Sequence, residues 1–333
     1  MDLKSILENT LREDYGLNVT IERSPLGQAN ESFLDAEKTI FVRLHRKEKQ
    51  KESVELEERA LHFLEQQGVK VPGIIQSTQG QLHLLVDGRI LSVYNFVPHK
   101  PYSGLPGQLE EAARHHAVIL NKLQGLDFPS EYWSNLLGFK SPGSEAWRDR
   151  LDHLLEDPNE GIRNRAQVLL GHYSKIVSIF PRETYRELPR INIHGDYHAF
   201  NIGFAQNDDQ KIECVFDWEG IERRPIAYEL MIALISFVRY QNKIDVEKVE
   251  ELALRYLTNF FSASRDTEIG RMARDQTYLI APLMMDRLFQ FGINDLEMYA
   301  SGRKEPFASC DRNIGLLNFL EDNPDFLQGI ELK

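Results

Sequence analysis

Residues 194–201 read His194-Gly195-Asp196-Tyr197-His198-Ala199-Phe200-Asn201, and sixteen residues after Asn201 comes Asp217-Trp218-Glu219. An Asp, an Asn five residues on, and a second Asp at a strand end make the set of groups that phosphoryl transfer from Mg-ATP requires. One carboxylate takes the proton of an attacking hydroxyl, while a carboxamide and a carboxylate hold magnesium against the phosphates. Ile191 to Ile193 reads as a short apolar strand that delivers this loop. Ile202 to Phe204 and Ile212 to Phe216 read as two further strands around the polar turn of residues 206–210. A hairpin centred near Asp209 predicts Asn201 roughly opposite Asp217, two oxygen ligands at one end of a ribbon.

Two plainer readings compete. His194, Asp196 and His198 alternate, as three ligands of a zinc or iron hydrolase would on a strand. Gly195 suits a turn better, and no second His-rich cluster completes a binuclear site. The other reading is a polar turn without chemistry.

His194-Gly-Asp196 with Asn201, followed by Asp217-Trp-Glu219, resembles the aminoglycoside phosphotransferase and choline kinase family, relatives of the protein kinases. Protein kinases carry His-Arg-Asp and Asp-Phe-Gly at these places. Gly195 for the Arg and Trp218-Glu219 for Phe-Gly point to the small-molecule branch. The resemblance implies an α+β, bilobal protein-kinase-like fold, a small antiparallel β-sheet lobe plus a larger, mostly helical lobe. It implies Asp196 as catalytic base, Asn201 and Asp217 as magnesium ligands, and His194 as a structural residue of the loop. Glu219 adds a supporting or acceptor contact.

Further expectations follow along the chain. Residues 3–15 form a helix, and strands run from Val19 to Glu22, Ser32 to Asp35 and Thr39 to His45. Ser24 to Asn30 is a turn-rich connector. In the family it covers the phosphates, which implicates Gly27, Gln28 and Asn30. On the third strand Ile40, Val42 and Leu44 alternate with Phe41, Arg43 and His45. Arg43 stands where kinases place a lysine, keeping the charge and adding a planar fork. The helix from Ser53 to about Gln67 carries Glu57 on the stripe of Leu61 and Leu64. A carboxylate on a buried face is costly unless paired, so Glu57 is the expected partner of Arg43, with Glu58 the runner-up. Glu55, Glu58 and Arg59 read as a solvated face. Asp87-Gly88 marks a hairpin turn, and its second strand runs into Val97-Pro98-His-Lys-Pro101, the expected hinge. Backbone groups of Asn95 and Phe96 there are implied to meet adenine. The predicted lobes are residues 1–97 and 98–333. The latter includes a helix with Leu109, Ala113, Ala117 and Leu120 on one stripe, and a buried helix from Ala227 carrying Glu229.

Composition narrows the class. No run of eighteen apolar residues is present, so no membrane span is expected. Nor does the N-terminus have a signal-peptide core. Cys214 and Cys310 are the only cysteines, consistent with a reducing cytoplasm. A net charge of −12 argues against nucleic acid as a partner. The expected function is transfer of the ATP γ-phosphate, with magnesium, to a hydroxyl of a small molecule such as an amino alcohol or aminoglycoside. A Ser/Thr protein kinase of the same fold and a non-catalytic nucleotide-binding regulator are the alternatives. Glu219, Glu222 and Asp286, with the acidic net charge, favour a cationic acceptor, against which Arg223 and Arg224 weigh.

Overall fold

The computed structural model describes residues 2–24, 30–128, 145–179, 182–240, 246–302, 306–325 and 327. The chain divides into two compact units, Met1–Tyr102 with Phe200–Ile221, and Ser103–Ala199 with Glu222–Lys333.

The first unit opens with α1 (Leu3–Asp14), where the Asp2 side chain caps the helix by accepting from Ser5 N–H at 2.9 Å. Strands β1 (Ile21–Arg23), β2 (Glu31–Asp35) and β3 (Ile40–Leu44) follow. Helix α2 (Lys51–Gln66) precedes β4 (His83–Val86) and β5 (Arg89–Asn95), and the antiparallel sheet order is β1-β2-β3-β5-β4. The predicted alternation on β3 holds: Ile40, Val42 and Leu44 are buried with Leu7, Leu11, Ile21, Leu91 and Val93. Asp87 and Gly88 have φ values of 50° and 69°, the left-handed pair that a tight β4–β5 turn requires.

A second sheet joins β6 (Lys100–Pro101), β8 (Ile202–Ala205) and β9 (Asp208–Val215) in the order β6-β8-β9. This pairing explains why the compact unit extends to Tyr102 and takes in residues 200–221, where the sequence suggested one boundary after residue 97. The hairpin differs from expectation by one residue. Ile202 pairs with Val215, and Phe216 N–H donates to Asn201 O at 2.8 Å, so Asn201 faces Phe216 and not Asp217. The turn closes at residues 206–207, ahead of Asp209, with Ala205 pairing Asp208; register shifts on both sides of Phe204 then add residues on the β9 side and bring Ile202 opposite Val215.

The second unit is largely helical. Helix α3 (Pro106–Leu123) buries the predicted stripe, and α4 (Glu145–Leu155), α5 (Glu160–Ile179) and α6 (Arg182–Glu187) follow. Strand β7 (Ile191–Ile193) pairs antiparallel with β10 (Glu222–Arg224). The remaining helices are α7 (Ile226–Val238), α8 (Val246–Ala263), α9 (Glu268–Asp275), α10 (Ile280–Ala300) and α11 (Pro306–Asp322). Helix α3 packs on α8, and α10 packs on α5, α7 and α11.

Candidate active site

In the first unit the polar cluster grows from Arg43. Its place on β3 turns it away from the core stripe, and its guanidinium reaches Glu57 Oε1 at 3.0 Å. The same group lies 3.6 Å from Asp217 Oδ1 and 4.0 Å from Glu219 Oε1. Phe41 and Tyr94 place their rings 5.8 and 5.7 Å from the guanidinium carbon. Burial opposes the Arg43 charge, but Glu57 and the other acids outweigh it and hold the pKa above the ordinary value. Glu57 is only 2% exposed, and burial pushes its pKa up to about 7 despite Arg43. The arginine stays charged, and burial of the pair costs free energy that its hydrogen bond and the neighbouring acids offset.

Glu219 ties further parts of this unit together. Its Oε1 accepts from Asn30 Nδ2 at 2.7 Å and its Oε2 from Lys49 Nζ at 3.0 Å. Burial works against its charge, but Lys49 and Arg43 bring its pKa down to about 2. Asn30 Oδ1 in turn accepts from Arg46 N–H at 3.1 Å. Asp217 adopts φ 59°, ψ 63° at the entrance to a 3-10 turn, Trp218–Gly220. A non-glycine residue in this left-handed region costs about 1–2 kcal/mol, and such strain concentrates at functional positions.

Lys49 is the residue that sequence reasoning missed. Its side chain is 3% exposed, in a stretch that also holds the cations Arg46 and Lys47. Its position just before α2 was the one available signal. Glu58 is a correction: it is buried, not solvated, because His83 Nδ1 lies 2.9 Å from its carboxylate and Ser92 Oγ 3.5 Å. Glu57, not Glu58, meets Arg43. Gly27 and Gln28 lie outside the described residues. The N–H groups of Asn95 and Phe96 already donate to Gly73 O and Thr39 O, at 2.8 and 2.9 Å; any contact with a base edge falls to their carbonyl oxygens.

Asn201 and Asp217 offer a carboxamide and a carboxylate, the hard oxygen donors that magnesium prefers. The Phe216–Asn201 backbone bond sets the two residues at the same end of the β8–β9 ribbon. The chemistry of this donor pair is of the kind a magnesium ion takes.

In the second unit the loop after β7 is fixed before any substrate arrives. Gly195 takes φ 79°, a conformation that strains any side chain. Its N–H donates to Glu229 Oε2 at 3.0 Å, and Asp196 N–H donates to His194 Nδ1 at 3.2 Å. Ala199 N–H donates to Ser236 Oγ at 3.1 Å, and Tyr197 OH to Ala112 O at 2.8 Å. Gln124 exchanges two hydrogen bonds with the Asn192 backbone, at 2.9 and 3.1 Å, and so braces β7. Asp196 keeps a 43% exposed side chain, 3.4 Å from His198 Nε2. His194 is thus a loop brace. Among the described residues no three of His, Cys, Asp and Glu form a group able to hold a metal ion.

Behind Glu229 lies His116, fully buried on α3 and also unanticipated. Its Nε2 is 3.1 Å from Glu229 Oε1, its Nδ1 2.6 Å from Tyr256 OH, and its ring stacks on Tyr197 at 4.0 Å. Burial lowers its pKa to about 3, so the ring is neutral. With the proton on Nε2 it donates to Glu229 while accepting from Tyr256. Burial also pushes Glu229 up to about 7 from its ordinary 4.5, against the lowering by His194 and the Gly195 N–H. A carboxyl raised on folding contributes stability that is fully present below the unfolded pKa and lost as pH rises through the folded one. Between about pH 4.5 and 7 the wild type should therefore lose roughly 3 kcal/mol that Glu229→Gln retains. Urea melts of both proteins at pH 5 and 8 check this; parallel curves would mean Glu229 titrates normally.

The sequence matches the model of the phosphotransferase enzyme family (APH) over residues 20–270, and the chain belongs to that family. A search of curated protein sequences found no match. Among solved structures it is similar to the amicoumacin kinase hAmiN in complex with AMP-PNP, Ca2+ and Ami. The TM-score is 0.69 at 13% identity, over 95% of this chain and 93% of that one. It is also similar to choline kinase from Cryptosporidium parvum Iowa II, with TM-score 0.65, 16% identity and coverage of 98% and 97%. A microcompartment-associated aminopropanol kinase gives TM-score 0.60 and 16% identity, over 99% of each chain. Among the described residues no helix is long and apolar enough to cross a membrane.

Proposed function

We propose that the protein transfers the γ-phosphate of ATP to a hydroxyl of a small molecule. The observation that carries this reading is the Arg43 guanidinium, held 3.0 Å from Glu57 and 3.6 Å from Asp217. A cation fixed between a helix carboxylate and a strand-end carboxylate is positioned for phosphates, and its fork suits two oxygens at once. Lys49 supplies a second buried cation in the same cluster. Asn201 and Asp217 would hold magnesium, which neutralises phosphate charge when bound. Asp196 would accept the acceptor's proton as the alcohol oxygen bonds to the γ-phosphorus and the β,γ-bridging P–O bond breaks, releasing ADP. Family membership and relatives solved with AMP-PNP or with ADP support nucleotide use.

After Asp217-Trp218-Glu219 the chain enters β10 at Glu222 and α7 at Ile226, leaving no long activation segment of the protein-kinase type. This favours a small acceptor over a protein one. The test is a panel of hydroxyl metabolites with Mg-ATP, followed by ADP release. Acceptor-dependent ADP release and a phosphorylated acceptor by mass spectrometry are expected. Nucleotide binding without turnover of any acceptor would instead indicate a regulator.

A further inference from the structure

The two chain neighbours of Asp196 are both tied to buried groups. On one side Gly195 N–H donates to Glu229 Oε2, on α7, at 3.0 Å. On the other, Tyr197 donates its hydroxyl to Ala112 O, on α3, at 2.8 Å. His116, one turn after Ala112, touches both braces. Its Nε2 lies 3.1 Å from the other Glu229 oxygen, Oε1. Its ring lies flat on the Tyr197 ring, with centroids 4.0 Å apart and planes 4° from parallel. Glu229, His116, Tyr197 and Tyr256 are all fully buried. An exposed base is thus mounted on a support that solvent does not reach.

That support has a defined direction. A neutral imidazole offers one N–H and one lone pair. Tyr256 OH, on α8, lies 2.6 Å from His116 Nδ1. Were the hydroxyl to accept there, the bare Nε2 lone pair would face the Glu229 carboxylate with no proton between them. The opposite direction satisfies every group. Tyr256 donates to Nδ1, Nε2–H donates to Glu229, and Glu229 accepts from Gly195. A continuous chain of hydrogen bonds therefore runs from α8 through α3 and α7 to the residue before Asp196. Burial strengthens such a chain and makes an unpaired member costly. Phe260 meets the His116 ring edge-on at 5.6 Å, so the imidazole cannot turn over without displacing packed aromatic rings.

We propose that His116 and Tyr256 are positioning residues of the transfer reaction, which fix the Asp196 loop through Glu229 and Tyr197 without touching substrate. The proposal rests on the kinase reading above and deepens it. A residue that only filled space at position 116 would need volume alone; this arrangement needs the Nε2 proton, and the Tyr256 hydroxyl sets where that proton sits.

Four variants test it. Tyr256→Phe removes one oxygen and keeps the packing. His116→Phe keeps a ring to stack on Tyr197 and removes the Nε2–H, while His116→Gln returns a donor. Leu317→Ala, a truncation of a fully buried side chain on α11, is the control for loss of stability alone. Measurements at pH 8 keep Glu229 ionised, since burial pushes its pKa only to about 7. Amide hydrogen exchange at Gly195 is expected to rise about 10-fold in Tyr256→Phe and His116→Phe, the scale of one lost buried hydrogen bond. With the acceptor found in the metabolite panel, kcat should fall about 10–100-fold in both, as small misplacements of a reacting group produce. The Kd for Mg-ATP should stay within a few-fold, and His116→Gln should recover part of kcat. Leu317→Ala should move neither kcat nor Gly195 exchange. In an Asp196→Asn background His116→Phe should cost nothing further, because its effect passes through Asp196. Tyr256→Phe carries the test if His116→Phe fails to fold.

Unchanged Gly195 exchange in the folded variants overturns the proposal. So does a kcat loss that Leu317→Ala reproduces, or one that persists in full on top of Asp196→Asn. Wild type that turns over no acceptor overturns the kinase reading, and with it the catalytic half of the proposal. The exchange rates then still decide whether His116 and Tyr256 fix the loop, so the two failures are distinguishable.

Discussion

Asp196→Asn is expected to lower kcat by about two to four orders of magnitude, the usual contribution of a positioned general base. The Kd for Mg-ATP should stay within a few-fold. Asparagine keeps the size and hydrogen-bonding capacity of the side chain but cannot take a proton near neutral pH. Several of the bonds that hold the loop are made by groups other than the Asp196 carboxylate, which itself lies 3.4 Å from His198 Nε2. Glu229, Ser236, His194 and Ala112 hold the loop through Gly195, Ala199 and Tyr197 and through the Asp196 backbone. Arg43, Glu57 and Asp217, the proposed nucleotide contacts, all belong to the other compact unit. Single-turnover kinetics beside calorimetric ATP binding separate the two quantities. Equal turnover in wild type and Asp196→Asn would remove Asp196 from its role, and lost binding with intact chemistry would reassign it to positioning.

Local periodicity made much of the nucleotide-binding unit legible. The alternation on β3 separates Arg43 from its core neighbours, and the Asp87-Gly88 turn fixes the β4–β5 hairpin. Glu57 was found because a carboxylate among Leu61 and Leu64 demands a partner. The same argument applied to α3 would have found His116, which follows Ala113 by three residues and precedes Leu120 by four. Glu58 was misread because its burial depends on His83 and Ser92, residues 25 and 34 positions away. Nothing local encodes such contacts. The polar residues 208–210 read as turn but belong to β9, and the register shifts around Phe204 that nearly restore the expected pairing are not encoded in strand propensity. Acids such as Glu222 and Asp286 are visible as charges in the sequence. That Glu222 accepts from Arg224 Nε at 2.9 Å and Asp286 from Gln290 Nε2 at 2.5 Å becomes visible only in the structure.

Asp217→Ala is expected to abolish the magnesium dependence of nucleotide binding and to weaken Mg-ATP binding by about 100-fold or more. Losing one of two proposed protein oxygen ligands should exceed the ~10–100-fold typical of groups that merely orient ligands. The effect should reverse sign without the metal. In wild type the Asp217 carboxylate lies 3.6 Å from Arg43 and, metal-free, repels a triphosphate while competing for that guanidinium. Alanine removes both effects, so in EDTA the variant should bind ATP at least as tightly as wild type. Arg43 remains held by Glu57 at 3.0 Å, which keeps the cluster assembled in the variant. Relief of the left-handed strain at this position should be small, because alanine shares the same Cβ clash. Calorimetric titration of ATP with magnesium and with EDTA, on both proteins, reads all four affinities. A variant that keeps the wild-type ratio between the two conditions would show that Asp217 holds no metal. The phosphates would then be anchored by Arg43 and Lys49 alone.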